Sequence, residues 1–198
     1  MSAPGGIADR IDAVAIGASA GGVEALCRLL PALPASTRAV VFVVLHLPRE
    51  RPSLLASIFQ AKCVLPVLEA QDKEPVTPGT VYVAAPDYHL LLDEGPRIAL
   101  STDEPVNFSR PAIDVLFESA ADIYRDRLLA VVLTGGNHDG AAGLAAVQRC
   151  GGIAVVQQPE SAQVALMPAA ALQRNPTSLV MSIGDIGSLL ATLGEKVA

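Results

Sequence analysis

The feature that most constrains the fold is an apolar run that ends in a small, glycine-rich turn. Residues 13–16 read Ala-Val-Ala-Ile, and residues 17–22 read Gly-Ala-Ser-Ala-Gly-Gly. A helical pattern follows, so the sequence predicts a strand, a sharp turn and a helix. Because glycines let the backbone bend tightly and let a ligand approach closely, we expect Ser19 to be exposed at the carboxyl end of the strand. Such a position at a helix amino end suits either a nucleophile or a phosphate.

Short β-branched runs alternate with helical patterns along the chain, which is typical of an α/β fold. Near-continuous apolar runs predict strands that are covered on both sides, at 13–17, 40–45, 128–134 and 153–157. Helical patterns follow at 22–30, 52–61, 111–124, 140–149, 168–173 and 186–193. We therefore expect a doubly wound, mainly parallel sheet with helices on both faces.

The middle of the chain has a different pattern. Three short apolar runs at 80–84, 89–92 and 97–100 are separated by turn-forming Pro, Asp and Gly residues. They predict a small antiparallel hairpin inserted around 81–100. The polar segment 101–110 is predicted to be a loop that crosses the surface.

Composition excludes several function classes. A net charge of −6, 4% aromatic residues and no Trp disfavour a nucleic-acid partner. The three cysteines are widely spaced, which fits neither a zinc site nor a disulfide framework. The amino terminus does not resemble a signal peptide, and no apolar run is long enough to insert in a membrane. With 198 residues, of which 51% are hydrophobic, we expect one cytoplasmic domain over 1–198, with residues 1–12 flexible.

Three polar residues follow predicted core strands: Ser19, His46 and Asp139. In an open parallel sheet, ligands bind outside the carboxyl ends of the strands, so these three side chains can meet at one point. A serine becomes a useful nucleophile when an imidazole takes its proton, and a carboxylate then orients and stabilises that imidazole. The pattern therefore favours a serine hydrolase in which His46 lies between Ser19 Oγ and Asp139 in a shallow cleft.

Each of these residues also has a structural interpretation. Ser19 and Asp139 can act as helix caps, and His46 can be a hydrogen-bonded interior histidine. His138 and His89 are alternative bases, but neither directly follows a predicted parallel strand, so we interpret both as structural.

Two familiar sites match the turn incompletely. A dinucleotide site needs a glycine at position 19 and an acidic residue after the second strand, whereas this chain has Ser19 and His46. The nucleophile turn of α/β-hydrolases matches residues 17–21 locally, but that fold places strands before its serine and orders its triad Ser, acid, His. A nucleotide-binding domain stays a weaker alternative.

The chain resembles the catalytic domain of CheB-type protein-glutamate methylesterases from about Val14 to near its carboxyl terminus. The matching motifs are Ile-Gly-Ala-Ser-Ala-Gly-Gly at 16–22, Leu-His-Leu-Pro at 45–48, Pro-Gly-Thr-Val-Tyr-Val-Ala at 78–84, Arg-Pro-Ala-Ile-Asp-Val-Leu-Phe at 110–117, Leu-Thr-Gly at 133–135 and Asp-Gly-Ala at 139–141. The family's regulated members also carry an amino-terminal receiver domain. Only about a dozen residues precede the first predicted strand here, so we expect no receiver domain.

The resemblance implies Ser19 as the nucleophile, His46 as the base and Asp139 as the orienting acid. Backbone amides of Ala20 and of Gly135 or Gly136 would stabilise the oxyanion. The implied reaction is demethylation of glutamate γ-methyl esters on a methylated chemoreceptor-like protein, with release of methanol, and glutamine deamidation is an implied side activity. The chemistry needs no cofactor and no metal.

The sequence departs from the family at three positions near this site. Ala20 stands where the family usually has Thr, Gly136 where it has Met, and Asn137 where it has Gly. These departures motivate the alternative of a non-catalytic or regulatory binding module on the same fold.

Overall fold

A seven-stranded parallel sheet runs through the middle of the protein. The structure is a computed structural model and describes residues 10–46 and 54–194. The strands of this sheet are β1 (Ala13–Ala18), β2 (Val40–Leu45), β3 (Val67–Glu69), β4 (Val81–Val83), β7 (Leu128–Val132), β8 (Ile153–Gln157) and β9 (Leu179–Met181). A separate antiparallel pair is formed by β5 (His89–Asp93) and β6 (Arg97–Ser101).

Helices cover both faces of the sheet, as predicted. The helices are α1 (Gly22–Leu29), α2 (Leu55–Gln60), α3 (Ile113–Tyr124), α4 (Ala141–Arg149), α5 (Leu166–Arg174) and α6 (Ile183–Ala191). Side chains of α1, α2 and α6 pack with one face of the strands, while α3, α4, α5 and the hairpin pack with the other. Because alternate residues of a strand point to opposite faces, Val14 and Ile16 of β1 enter the first core and Ala13 and Ala15 enter the second.

The strand order places the predicted site residues at one point. The order across the sheet is β3-β4-β2-β1-β7-β8-β9, so the chain direction across the sheet reverses at β1. β1 pairs with β2 on one side and with β7 on the other. The segments that follow these three strands carry Ser19, His46 and Asp139, and they emerge at the switch point where doubly wound sheets bind their ligands.

Two parts of the sheet differ from the sequence prediction. Residues 81–83 belong to the main sheet, where β4 pairs with β2 and β3, so the antiparallel insertion consists of β5 and β6 alone. The reason is burial: all three residues of β4 are buried, which suits a strand covered on both faces. The outermost strands, β3 and β9, were not predicted, because three residues carry too little pattern to mark a strand.

Some helix ends also differ from the prediction. Helix α6 begins at Ile183 rather than at 186, because Ser182 and Asp185 form a capping box at its amino end. Helix α2 begins at Leu55, and residues 52–53 of the predicted helix lie outside the described residues.

The amino terminus was predicted to be flexible over 1–12, and residues 1–9 lie outside the described part of the chain. Ile11 is buried, and the Asp12 backbone N–H donates to Arg127 O at 3.0 Å. Ile11 and Asp12 therefore both contact the rest of the domain. Among the helices that the structure describes, none is long and apolar enough to cross a membrane.

Candidate active site

Ser19 lies in a turn that is held by backbone hydrogen bonds. Its N–H donates to Thr134 O at 2.9 Å, and the Gly22 N–H donates to Ser19 O at 2.8 Å. Gly21 has a φ of 80°, which glycine adopts without strain. A Cβ at Gly22 would lie 2.4 Å from Leu45 Cδ1, so this position also needs glycine. The glycines of the motif therefore let the chain turn sharply against β2 and leave Ser19 partly exposed.

Asp139 is fully buried and lies at the centre of a dense hydrogen-bond network. Its Oδ2 accepts hydrogen bonds from His46 Nε2 at 2.8 Å and from the Ile113 backbone N–H at 2.6 Å. Its Oδ1 accepts three more at 3.0 Å, from Asn107 Nδ2 and from the backbone N–H groups of Asp114 and Gly140. All of these donors fix the carboxylate in one orientation.

The network keeps Asp139 ionised. Burial acts to raise the pKa of this carboxyl, but the hydrogen bonds from His46, Ile113, Asn107 and Asp114 hold it below its ordinary value. The neighbouring Asp114 behaves in the opposite way. Burial raises the pKa of Asp114, and the negative charge of Asp139 adds to that effect, although the hydrogen bond from Gly143 opposes it. The pKa values of the two neighbouring carboxyl groups are therefore shifted in opposite directions.

His46 contacts Asp139 through one ring nitrogen and Ser109 through the other. With Nε2–H donating to Asp139, Nδ1 is the acceptor nitrogen, and Ser109 Oγ lies 3.4 Å from it. Among the described residues, no hydrogen bond joins His46 to Ser19 Oγ. The side chain of His46 is 11% exposed, so part of it reaches solvent. The predicted contact with Asp139 is present, whereas Ser109, rather than Ser19, is the serine bonded to the ring.

The other two histidines do not contact this pair. His89 is buried, its Nδ1 accepts a hydrogen bond from the Ala112 N–H at 3.2 Å, and its Nε2–H donates to Glu104 O at 3.1 Å. His138 is exposed, and its ring has no hydrogen-bond partner among the described residues. His89 supports the loop before α3, as the structural interpretation expects.

The three candidate oxyanion amides are not equivalent. The Gly135 N–H donates to Val164 O at 3.1 Å, and a Cβ at this position would lie 2.6 Å from Met167. Within the described part of the chain, the N–H groups of Ala20 and Gly136 have no acceptor. These two amides, and not that of Gly135, are available to an incoming oxygen atom.

Sequence reasoning missed several residues that position the site. Thr134 Oγ1 donates to Ala20 O at 2.8 Å, and the Thr134 N–H donates to Gln157 Oε1 at 2.9 Å, which ties the Ser19 turn to the end of β8. Asn107 Nδ2 donates to both Asp114 and Asp139. Asp114 lies inside the Arg-Pro-Ala-Ile-Asp motif, which was a usable signal, but nothing marked Asn107 or Ser109 within the predicted loop 101–110.

Cavities lie at both ends of the strands of the main sheet. A cavity of about 270 Å³ adjoins the Ser19 turn and is lined by Gly21, Thr134 and Gln163, among others. A larger one, about 660 Å³, lies where β1 and β2 begin and is lined by Asp12 and Val40. The smaller, polar cavity is the one next to the candidate nucleophile. Over the described ranges, no three His, Cys, Asp or Glu side chains form a group that could hold a metal ion.

Comparisons with known proteins place the chain in one family. Residues 14–190 match the sequence model described as CheB methylesterase. A relative from Leptospira interrogans is 41% identical over 185 residues, which cover 93% of this chain and 96% of the relative. The Caulobacter vibrioides protein named protein-glutamate methylesterase/protein-glutamine glutaminase 2 is 35% identical over 192 residues, and this chain spans 55% of its length.

A solved structure has the same fold. The crystal structure of the Thermotoga maritima CheB methylesterase catalytic domain superimposes with a TM-score of 0.87 at 34% identity, and the match covers 92% of this chain and 98% of that one. The fold with its parallel sheet and hairpin is therefore that of a methylesterase catalytic domain.

Proposed function

The chain belongs to the CheB methylesterase family, and from this we propose that it hydrolyses glutamate γ-methyl esters on a methylated chemoreceptor-like protein in the cytoplasm. The products are a glutamate side chain and methanol. Because relatives are named for both activities, we also propose that it deamidates glutamine. The observation that carries the proposal is the ionised, buried Asp139 bonded to His46 next to the Ser19 turn.

In the proposed reaction, Ser19 Oγ attacks the ester carbonyl carbon and transfers its proton to His46 Nδ1. Asp139 stabilises the imidazolium through the hydrogen bond from Nε2. The tetrahedral intermediate then loses methoxide, which takes the proton from His46 and leaves as methanol. Water attacks the acyl-enzyme, gives a proton to His46, and releases glutamate as the proton returns to Ser19 Oγ. Catalytic hydrogen bonds are often long or absent before substrate binds, which fits the missing Ser19–His46 bond.

The oxyanion of this intermediate is proposed to accept hydrogen bonds from the Ala20 and Gly136 amides. The Ala20 N–H belongs to the residue that follows the nucleophile, as in other serine hydrolases with a turn of this kind. Because Thr134 Oγ1 donates a hydrogen bond to the Ala20 carbonyl, the peptide group between Ala20 and Gly21 is held in place. Neither amide depends on a side chain, so the replacement of the family's Met by Gly136 leaves a donor in place.

The two alternatives are less favoured. A non-catalytic module would not need an ionised carboxylate buried behind His46. The comparisons do not favour a nucleotide-binding domain, since they match the chain to CheB methylesterase over residues 14–190 and to a methylesterase catalytic domain over 92% of its length.

Methanol release from a methylated chemoreceptor fragment tests the proposal. We expect the wild-type protein to release methanol and Ser19→Ala to lose at least about a thousandfold in kcat, since loss of a triad nucleophile costs at least that much. Ser109→Ala is the matched control, because it removes the serine that is bonded to His46 in the structure. We expect it to keep at least about a third of the activity, since a 3.4 Å contact is weak. Loss of activity in Ser109→Ala with retention in Ser19→Ala would reverse the assignment.

A further inference from the structure

An exposed aromatic residue stands beside the candidate active site. The chain has four Phe and three Tyr, and all of them lie in the described part of the chain. Phe42, Phe59, Phe117, Tyr82 and Tyr124 are buried. The two exposed aromatic residues are Phe108, which is 94% exposed, and Tyr88, which is 42% exposed. Phe108 therefore contributes nothing to a hydrophobic core.

Phe108 lies at the tip of a tight turn whose other residues contact the site. Val106 and Ser109 exchange backbone hydrogen bonds of 3.1 and 2.9 Å, so Asn107 and Phe108 are the two central residues of the turn. Asn107 donates to Asp139, and Ser109 Oγ lies 3.4 Å from His46 Nδ1. The phenyl ring is thus carried by a turn that is hydrogen-bonded to Asp139 and lies next to His46.

The backbone of this turn is unfavourable for the residue it holds. Asn107 and Phe108 have φ values of 51° and 62°, in the left-handed region that type I′ turns require at both central positions. Glycine is the preferred residue at the second of these positions, and a bulky side chain there is an outlier. Phe108 has a strained backbone and its side chain buries little surface, so it does not stabilise the fold. Such strain is concentrated at functional sites.

The second exposed aromatic residue is connected to the same turn. Tyr88 lies next to Asp87, whose carboxylate accepts hydrogen bonds of 3.1 and 2.8 Å from Arg110. Arg110 also donates to the carbonyls of Thr102 and Asp103, so it fixes the loop that leads into the Phe108 turn. Exposed aromatic side chains held on a rigid support are typical anchors of protein recognition.

Resting on the proposed function, we propose that Phe108 is a recognition residue for the protein substrate. Its ring contacts an apolar side chain that neighbours the esterified glutamate, and it thereby places the ester at Ser19. A small glutamate ester has no such neighbour, so it does not use this contact. Phe108 touches neither the reacting atoms nor His46, and its effect is therefore on binding of the protein substrate.

The test compares the wild type with Phe108→Gly on two substrates. Phe108→Gly removes the ring and suits the left-handed backbone, so we expect its melting temperature to be no lower than that of the wild type. With a methylated chemoreceptor fragment we expect kcat/KM to fall about ten- to a hundredfold, as for an interface anchor, mainly through KM. With N-acetyl-glutamate γ-methyl ester we expect kcat/KM to change by less than about twofold, because this small substrate does not make the contact that the variant removes.

Val64→Ser is the matched control. Val64 is 67% exposed and lies before the amino end of β3, the outermost strand, whereas the candidate site lies at the carboxyl ends of central strands. We therefore expect the same kcat/KM as in the wild type on both substrates. Equal losses of Phe108→Gly on both substrates, or no loss on either, would overturn the inference.

A binding measurement separates failure of this inference from failure of the proposed function. A wild-type protein that releases no methanol from either substrate would contradict the proposed function. Binding of the methylated receptor fragment to Ser19→Ala, with and without Phe108→Gly, would still test Phe108. We expect at least about a tenfold weaker Kd for the double variant, and an unchanged Kd would contradict the inference.

Discussion

The two ends of the proposed triad are held in different ways. Asp139 is fully buried, and five donors fix both of its oxygens. Ser19 is partly exposed, and its hydroxyl has no hydrogen-bond partner among the described residues. Only the backbone of Ser19 is fixed, through Thr134 and Gly22.

The difference indicates a division of roles within the site. Fixed dipoles around a buried charge need no rearrangement when the histidine becomes charged, and this is the main source of electrostatic catalysis. The hydroxyl of Ser19 instead keeps its rotation about one side-chain torsion, and in the proposed reaction it turns toward His46 when an ester is bound. The acid end is therefore organised in advance, while the nucleophile end is adjustable, and substitutions at the two ends should have different consequences.

The largest effect is expected at the fixed end. In Asp139→Asn, the NH₂ group of the new side chain lies against hydrogen-bond donors that need an acceptor. The side chain also no longer carries the negative charge that stabilises a protonated His46. We expect kcat to fall about 10⁴-fold, as for the corresponding change in a serine protease. We also expect the free energy of unfolding at pH 7 to fall by about 3 kcal/mol, since buried donors lose their charged acceptor. Methanol release and chemical denaturation measure the two effects.

The stability difference should depend on pH in a defined direction. Because the folded pKa of Asp139 lies below its ordinary value, its charge stabilises the fold fully above the unfolded-state pKa of about 3.9. That contribution is lost as the pH falls through the lower folded pKa. The gap between wild type and Asp139→Asn should thus be constant near neutral pH and shrink below about pH 4. Asp122→Asn, which removes an exposed carboxylate of α3, should show no such change. A gap that widens on acidification would contradict the role of the charge.

The sequence predicts the part of the site that follows from the strand pattern. Ser19, His46 and Asp139 each come directly after or close to a buried apolar run, and the carboxyl ends of parallel strands share one edge of the sheet. The strand order then brings them together. The glycine-rich turn is also readable, because Gly21 has a φ of 80° and a Cβ at Gly22 would lie 2.4 Å from Leu45 Cδ1.

The sequence does not predict the supports of the acid end. Asn107 and Ser109 lie in a polar segment without periodicity, and the turn they form uses the left-handed region without a glycine to mark it. Their partners are 32 and 63 positions away, so only the folded chain brings them to Asp139 and His46. The choice between Gly135 and Gly136 as donor is likewise decided by a long-range bond, from Gly135 to Val164.

A smaller effect is expected when one support of the fixed end is removed. Asn107→Gly keeps the left-handed backbone, since glycine adopts φ 51° freely, but it removes the donor shared by Asp114 and Asp139. A hydrogen bond to a charged group contributes about 1.5–3 kcal/mol, so we expect kcat to fall about ten- to a hundredfold. KM should change little, because Asn107 acts through Asp139 and does not contact substrate.

The matched substitution for this prediction is Asn137→Gly. The Asn137 side chain accepts a hydrogen bond from the Asp139 backbone N–H at 3.1 Å, so it supports the loop and not the carboxylate. We expect a loss of less than about threefold in kcat, in line with a neutral hydrogen bond at a partly exposed position. If both variants lose activity equally, the carboxylate contact of Asn107 has no special role.

The smallest effect is expected at the adjustable end, at Gly136. A Cβ here would meet no atom within 4 Å, and its φ lies outside the left-handed region. Gly136→Ala should therefore raise the free energy of unfolding by about 0.4–1 kcal/mol, because alanine restricts the unfolded chain. The backbone amide of residue 136 is retained, so kcat should change by less than about threefold if this amide is the oxyanion donor.

Gly135→Ala is the contrasting variant, since its Cβ would lie 2.6 Å from Met167. We expect its free energy of unfolding to fall by about 1–3 kcal/mol because of overpacking. Thermal and chemical denaturation of the two variants, alongside methanol release, measure whether the loop at Gly136 has space for a Cβ. Destabilisation by Gly136→Ala would mean that this loop is packed as tightly as the surroundings of Asp139.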